Sequence, residues 1–219
     1  MSIVVYSDRH TACTAAATLL AAQLITKPSS TLGLDYDERL NLVYSYLSAM
    51  SQNGLMDWTR VNIFQLCEYV GSSGIFDSLN KTLLDSIGFD TSKVIRPVNT
   101  ANNWQLTCHS YEQSILKAGG LDMAILAIKP DGSILFNAAE ADLAPVTHVD
   151  SYDTLSGVTA GMVTIMNAKK LVVLVLGSEL SKTARASLNG VITDAIPSSL
   201  LQLHSSATFI LDEEAAALL

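Results

Sequence analysis

Apolar and polar positions along this chain sort into two alternating kinds of segment. The first kind is short and rich in β-branched or uniformly apolar residues. It predicts strands over Ile3–Tyr6, Thr31–Leu34, Val61–Cys67, Leu121–Ile128, Leu171–Leu176 and Ala207–Leu211. The second kind has apolar residues at helical spacing, as in Leu40, Leu42, Val43, Tyr46 and Leu47. It predicts helices over Ala12–Ile25, Asp37–Met50, Phe76–Ile87, Ser110–Ala118, Ser156–Met166, Glu179–Leu188 and Asp212–Leu219. Ser7 or Asp8 is placed to cap the first of them, while Gly54 and Gly88 mark the ends of the second and third. Thr91–Gln105, with Pro97 and Asn102-Asn103, reads as irregular. Strands alternating with helices predict an α/β fold, a three-layer sandwich with a mainly parallel central sheet. With no repeat, low-complexity tract or linker, residues 1–219 are expected to form one domain.

The Leu121–Ile128 run is apolar almost throughout, as in a strand buried on both faces, and Pro130, Asp131 and Gly132 break it. That break falls at the strand's carboxyl end, where open parallel sheets bind ligands. Asp131 and Gly132 are therefore site candidates.

Composition narrows the function classes. A chain that is 49% hydrophobic with mean hydropathy +0.32 is not disordered. No apolar run reaches the about 18 residues of a membrane span; the nearest, Thr14–Ile25, contains Gln23. No basic region precedes an apolar stretch at the N-terminus, so a signal peptide is not expected and a cytoplasmic location is. Cys13, Cys67 and Cys108 are odd in number and widely spaced, as reduced thiols are. A net charge of −8 without clustered Lys or Arg argues against nucleic acid as partner. Neither the cysteines nor His10, His109, His148 and His204 show metal-ligand spacing, and no metal or cofactor is expected. Assembly into a homo-oligomer is left open.

Several motifs, in order, carry a resemblance. Gly119-Gly120-Leu121-Asp122 precedes the apolar run, and Asp131-Gly132-Ser133-Ile134-Leu135-Phe136-Asn137 follows it. Glu68-Tyr69-Val70-Gly71, Tyr111-Glu112-Gln113 and Leu201-Gln202-Leu203-His204 with Asp212-Glu213 lie at matching spacings. Together they resemble the glucosamine-6-phosphate deaminase/isomerase family, whose fold group includes the 6-phosphogluconolactonases. The resemblance implies a Rossmann-like α/β domain, amino-sugar-phosphate chemistry and a sugar or sugar-phosphate ligand.

Position by position, the implied machinery is altered. The family loop Gly-Leu-Pro-Thr-Gly-Gly-Thr-Pro holds phosphate because its glycines let backbone N–H groups close on the anion. The matching stretch here is Gly33-Leu34-Asp35-Tyr36-Asp37-Glu38-Arg39-Leu40, with carboxylates at both cradle glycines. Asp35 to Glu38 also reads as an ordinary helix cap. The family's catalytic Asp falls at Cys67, its His at Ser133 and that His's Glu partner at Ala138. A phosphate-binding Lys of the family falls at Leu180, with Lys182 turned away on a helix. The candidates that remain are Asp131, Cys67 and Glu68 for chemistry. A ligand pocket is expected from Gly33, Asp37, Glu38, Arg39, Tyr69, Gly132, Ser133, Asn137 and His148. Three readings follow: a non-catalytic relative that binds a small ligand or partner, an active carbohydrate isomerase or hydrolase with a changed substrate, and a structural subunit beside an active paralogue.

Overall fold

The computed structural model describes residues 1–138, 143–152 and 154–219. In chain order the elements are β1 (Ser2–Tyr6), α1 (Arg9–Thr26), β2 (Thr31–Leu34), α2 (Asn41–Gln52), β3 (Asn62–Gln65), β4 (Cys67–Tyr69), α3 (Gly74–Leu79), β5 (Val94–Ile95) and α4 (Trp104–Lys117). They continue with β6 (Met123–Ala127), β7 (His148–Tyr152), β8 (Leu155–Thr159), α5 (Met162–Met166), β9 (Leu171–Val175), α6 (Ser181–Asn189) and β10 (Ala207–Asp212). Seven strands form one sheet in the order β1-β10-β9-β6-β2-β3-β5, and its pairings are parallel. β4, β8 and β7 form a small antiparallel sheet beside it.

Successive residues of each central strand point to opposite faces, so two cores form. Leu32, Leu34, Met123, Ile125, Val172 and Leu174 pack under α1 and α2. Ala124, Leu126, Leu171, Val173, Phe209 and Leu211 pack under α4, α5 and α6. This two-sided burial is why the strand runs are continuously apolar rather than alternating. The expected Rossmann-like α/β three-layer sandwich is the observed fold.

Local departures from the expected elements have tertiary causes. The Val61–Cys67 run divides at Leu66: β3 stays in the large sheet, while β4 leaves it to pair with β8. The helix expected over Ser156–Met166 is instead β8 followed by α5. Here β8 is held from both sides by β4 and β7, which satisfies its backbone groups. Gly157 is needed in it because a Cβ there would lie 2.5 Å from the Phe136 ring. The expected helix over Asp212–Leu219 is a series of turns after β10. Asp212 anchors them, its carboxylate accepting the N–H groups of Gly177 at 3.0 Å and Ala215 at 2.9 Å. The helix predicted over Phe76–Ile87 begins as α3 and passes into a wider π-type turn at Asn80–Leu84. α4 begins earlier than its apolar pattern suggested, because Asn103 caps it by accepting the Leu106 N–H at 3.1 Å.

Candidate functional site

The chain leaves β2 through α2 towards β3 on one side, and leaves β6 towards β9 on the other. β2 and β6 are neighbours, so their carboxyl ends flank a topological switch point, where connections diverge and leave a crevice. Asp35, the first residue after β2, stands at this crevice. Only 3% of it is exposed, and its Oδ2 accepts the N–H of Ala127 on β6 at 3.1 Å. Its backbone carbonyl accepts the Tyr44 hydroxyl proton from α2. Burial raises the Asp35 carboxyl to about 7, Asp37 adds to the rise, and the Ala127 N–H and Lys129 oppose it.

A cavity of about 420 Å³ opens over this group. Tyr36, Asp37, Glu38 and Arg39 form one wall, Cys67 and Tyr69 another, the start of α3 a third, and Lys129, Leu135 and Phe136 the fourth. Asp37 caps a single 3-10 turn at Glu38–Leu40 by accepting the Arg39 N–H at 2.9 Å. The same carboxylate takes the Arg39 guanidinium at 2.9 and 3.0 Å. The Lys129 ammonium donates to the Leu135 carbonyl at 2.5 Å and sits 5.2 Å from the Phe136 ring centroid. Leu135 presents that carbonyl from a left-handed backbone, φ 56°, a strained state for a branched residue. Tyr69 meets Phe136 edge-to-face, with centroids 5.7 Å apart.

The structure brings together Asp37, Glu38, Arg39, Cys67 and Tyr69 from the expected site, and places the other candidates elsewhere. Gly33 lies within β2, where a Cβ would press on Leu121 and Leu66 at 3.0 Å, so its smallness serves packing. Glu68 is buried and its carboxylate is spent on structure: it accepts the N–H groups of Tyr69, Ile75 and Phe76 at 2.9–3.0 Å and the Gln65 side-chain amide at 3.0 Å, fastening the start of α3. Asp131 is exposed and closes a turn, accepting from the Ser133 N–H at 3.0 Å and hydroxyl at 2.7 Å. Gly132 supplies that turn's positive φ of 84°. Asn137 is buried and donates to the carbonyls of Ile134 and Ala160. His148 lies on β7, in a different groove against Trp104 and Glu112 of α4. Cys67 lines the cavity, but desolvation, then Asp35, raises its thiol well above the ordinary value, so it stays protonated and unreactive.

Asp35, Tyr36, Lys129, Leu135 and Phe136 were not singled out as pocket residues by sequence reasoning. A positional signal did exist: Asp35 and Lys129 are the first polar residues after two apolar strands. Among the described residues no group of three or more His, Cys, Asp and Glu side chains is placed to hold a metal ion. No helix among them is long and apolar enough to cross a membrane.

Fold and cavity together define a doubly wound parallel α/β protein with an open crevice at its switch point. Comparison with known proteins narrows this class. No family model matches the chain. A glucosamine-6-phosphate deaminase of Clostridium novyi is 31% identical, the match covering 99% of each chain. One from Shewanella halifaxensis is 32% identical over 99% of this chain and 91% of its own. Among solved structures, one described as a monomeric glucosamine-6-phosphate deaminase superposes with a TM-score of 0.94 at 24% identity, over 100% of both chains. A 6-phosphogluconolactonase from Trypanosoma brucei gives 0.83 at 16% identity, over 100% of this chain and 98% of that one. These two likenesses show the fold. The chain belongs to the glucosamine-6-phosphate deaminase family.

Proposed function

We propose that this chain binds a carbohydrate in the crevice at β2 and β6, without the phosphate dependence or the deamination that its relatives' name describes. The observation that carries this reading is the wall formed by Asp37, Glu38 and Arg39. This loop resembles the family's phosphate loop, and two carboxylates occupy the places of its glycines. Arg39 is turned onto Asp37 by two hydrogen bonds, so the cation nearest those carboxylates is already engaged. A phosphate charge about 5 Å from one carboxylate is opposed by about 3 kcal/mol at an effective dielectric of 20, roughly a hundredfold in affinity. The polar wall and the Tyr69 and Phe136 rings opposite give the hydroxyl-binding and stacking surfaces that a sugar uses.

The altered reaction centre supports the same reading. The positions that resemble the family's Asp, His and Glu hold a protonated thiol, a hydroxyl bonded to Asp131, and Ala138. None of these moves a proton near neutral pH. A second reading, catalysis on a changed substrate, is favoured by Asp35 alone, whose carboxyl near 7 suits proton transfer.

Two measurements test the proposal. Purified protein given glucosamine-6-phosphate should release no ammonium; turnover near the common enzymatic value of about 10 per second overturns it. Asp37→Asn with Glu38→Gln should tighten glucosamine-6-phosphate binding at least tenfold in a calorimetric titration, by removing two charges and freeing Arg39. Unchanged affinity would show that these carboxylates do not govern the pocket.

A further inference from the structure

The two edges of the seven-stranded sheet are built differently. At one edge β5 is two residues long and flanked by Lys93, Arg96 and Pro97, features that keep a free edge from pairing. At the other edge β1 is five residues long, Ser-Ile-Val-Val-Tyr, with no charge and no proline. Among the described residues nothing pairs with its outer side. Ile3, Val4 and Val5 are 36–46% exposed, so apolar side chains stand open on both faces of this strand.

The helix beside β1 continues this surface. Val4 and Tyr6 line a groove of about 500 Å³ against α1, together with Thr208 and Ile210 of β10. On the helix Thr11, Thr14, Thr18, Ala22 and Thr26 are exposed at helical spacing. Threonine is ordinarily polar, but these hydroxyls each donate to a carbonyl three or four residues earlier: Thr11 to Asp8 at 3.0 Å, Thr14 to His10 and Thr18 to Thr14 at 2.8 Å, and Thr26 to Ala22 at 2.7 Å. Their protons are already engaged and their methyl groups remain, so the stripe can leave water without stranding a donor. Between Arg9 and Lys27 the helix has no Asp, Glu, Lys or Arg, in a chain with 13 basic and 21 acidic side chains.

We propose that a second copy of the chain docks on this face, β1 against β1 across a twofold axis through Val4. The neutral stripe selects that occupant. Two chains of net charge −8 repel over most of their surfaces, and this face brings little of that charge together. A twofold axis normal to the sheet pairs the strands antiparallel, Val4 against Val4, Ile3 against Val5 and Ser2 against Tyr6. It also lays the two α1 helices side by side on one face of a continuous sheet. Both open edges are satisfied at once, and the blunted β5 edges stop the sheet from growing further. α1 has 18 residues and is about 27 Å long, and with layers about 10 Å apart the edge presents on the order of 500 Å². A pair buries about 1,000 Å², the lower bound for a specific interface, so the association is weak and concentration-dependent.

The test is sedimentation-velocity ultracentrifugation of the full chain from about 1 to 300 μM, the range in which an interface of this size associates. The wild type should pass from monomer to dimer across it. Val4→Lys sets two like charges at the twofold axis, and Thr18→Arg sets a charge on the helix stripe; each should weaken dimerisation at least tenfold. Thermal scans show whether the variants are folded; should Val4→Lys fail to fold, Thr18→Arg, on the exposed side of α1, decides. A wild type that stays monomeric throughout overturns the inference. A dimer that Thr18→Arg leaves intact also overturns it, because that dimer forms through another face. Assembly beyond the dimer overturns it too, because a twofold pairing closes on itself.

Discussion

Replacing Asp35 with Asn should stabilise the protein, and by an amount that grows with pH. In the folded state the Asp35 carboxyl keeps its proton up to about 7, against an ordinary value of 3.8. Desolvation is the main cause, reinforced by Asp37. Between these two values the folded chain binds more protons than the unfolded chain, so stability falls as pH rises through that window. The difference of about 3 pH units corresponds to about 4 kcal/mol at 1.36 kcal/mol per unit, as a ceiling. Local relaxation and water entering the crevice bring the expected value to about 2–3 kcal/mol. Asn has the same shape, keeps an oxygen for the Ala127 N–H and carries no charge to desolvate. Wild type and variant should therefore melt together near pH 3, below the ordinary value of 3.8, where Asp35 is protonated in the folded and the unfolded chain alike. At pH 8 the variant should melt higher by roughly 4–12 °C for a chain of this size. Differential scanning calorimetry of both proteins from pH 3 to 8 measures this. A melting-temperature difference that stays constant across the range would refute the reasoning, because it would mean that Asp35 does not titrate in that window.

Two further substitutions probe the frame of the crevice. Glu68→Ala should cost about 3 kcal/mol or more in chemical unfolding, because it strips the acceptor from three backbone N–H groups, one in β4 and two at the start of α3; a loss under about 0.5 kcal/mol would show that water replaces the carboxylate. Gly157→Ala should cost about 1–3 kcal/mol, since its Cβ would lie 2.5 Å from the Phe136 ring. It should also weaken sugar binding by moving that cavity wall, and an unchanged affinity would separate Phe136 from the ligand.

Much of the fold was legible in the sequence because burial on both faces leaves a strong local trace. The runs at Thr31–Leu34, Leu121–Ile128, Leu171–Leu176 and Ala207–Leu211 could be read directly, since a central parallel strand has no polar face. The alternation with helices then gave the layered, parallel architecture, and the ordered motifs gave the family. Elements whose stability comes from distant partners were harder to read. β8 was expected as the start of a helix, yet it pairs with β4 and β7 as a strand. Asp212 to Leu219 has helical composition, yet the hydrogen bonds of Asp212 to Gly177 and Ala215 hold it in turns.

The candidate site divides along the same line. Sequence by itself carried the resemblance that sets Asp37 and Glu38 against two glycines of the family loop, and Cys67, Ser133 and Ala138 against its reactive residues. Those are statements of residue identity, and a motif carries them. Only the tertiary structure decided which side chains face the crevice. Asp131 looked like the surviving acid, but its carboxylate closes a turn on Ser133. Glu68 looked reactive, but α3 docks its backbone onto it. Asp35 looked like part of a cap, yet the neighbouring β2 and β6 bury it at the switch point and raise its carboxyl to about 7. Residue identity is local, whereas desolvation and direction depend on what the rest of the chain packs against each group.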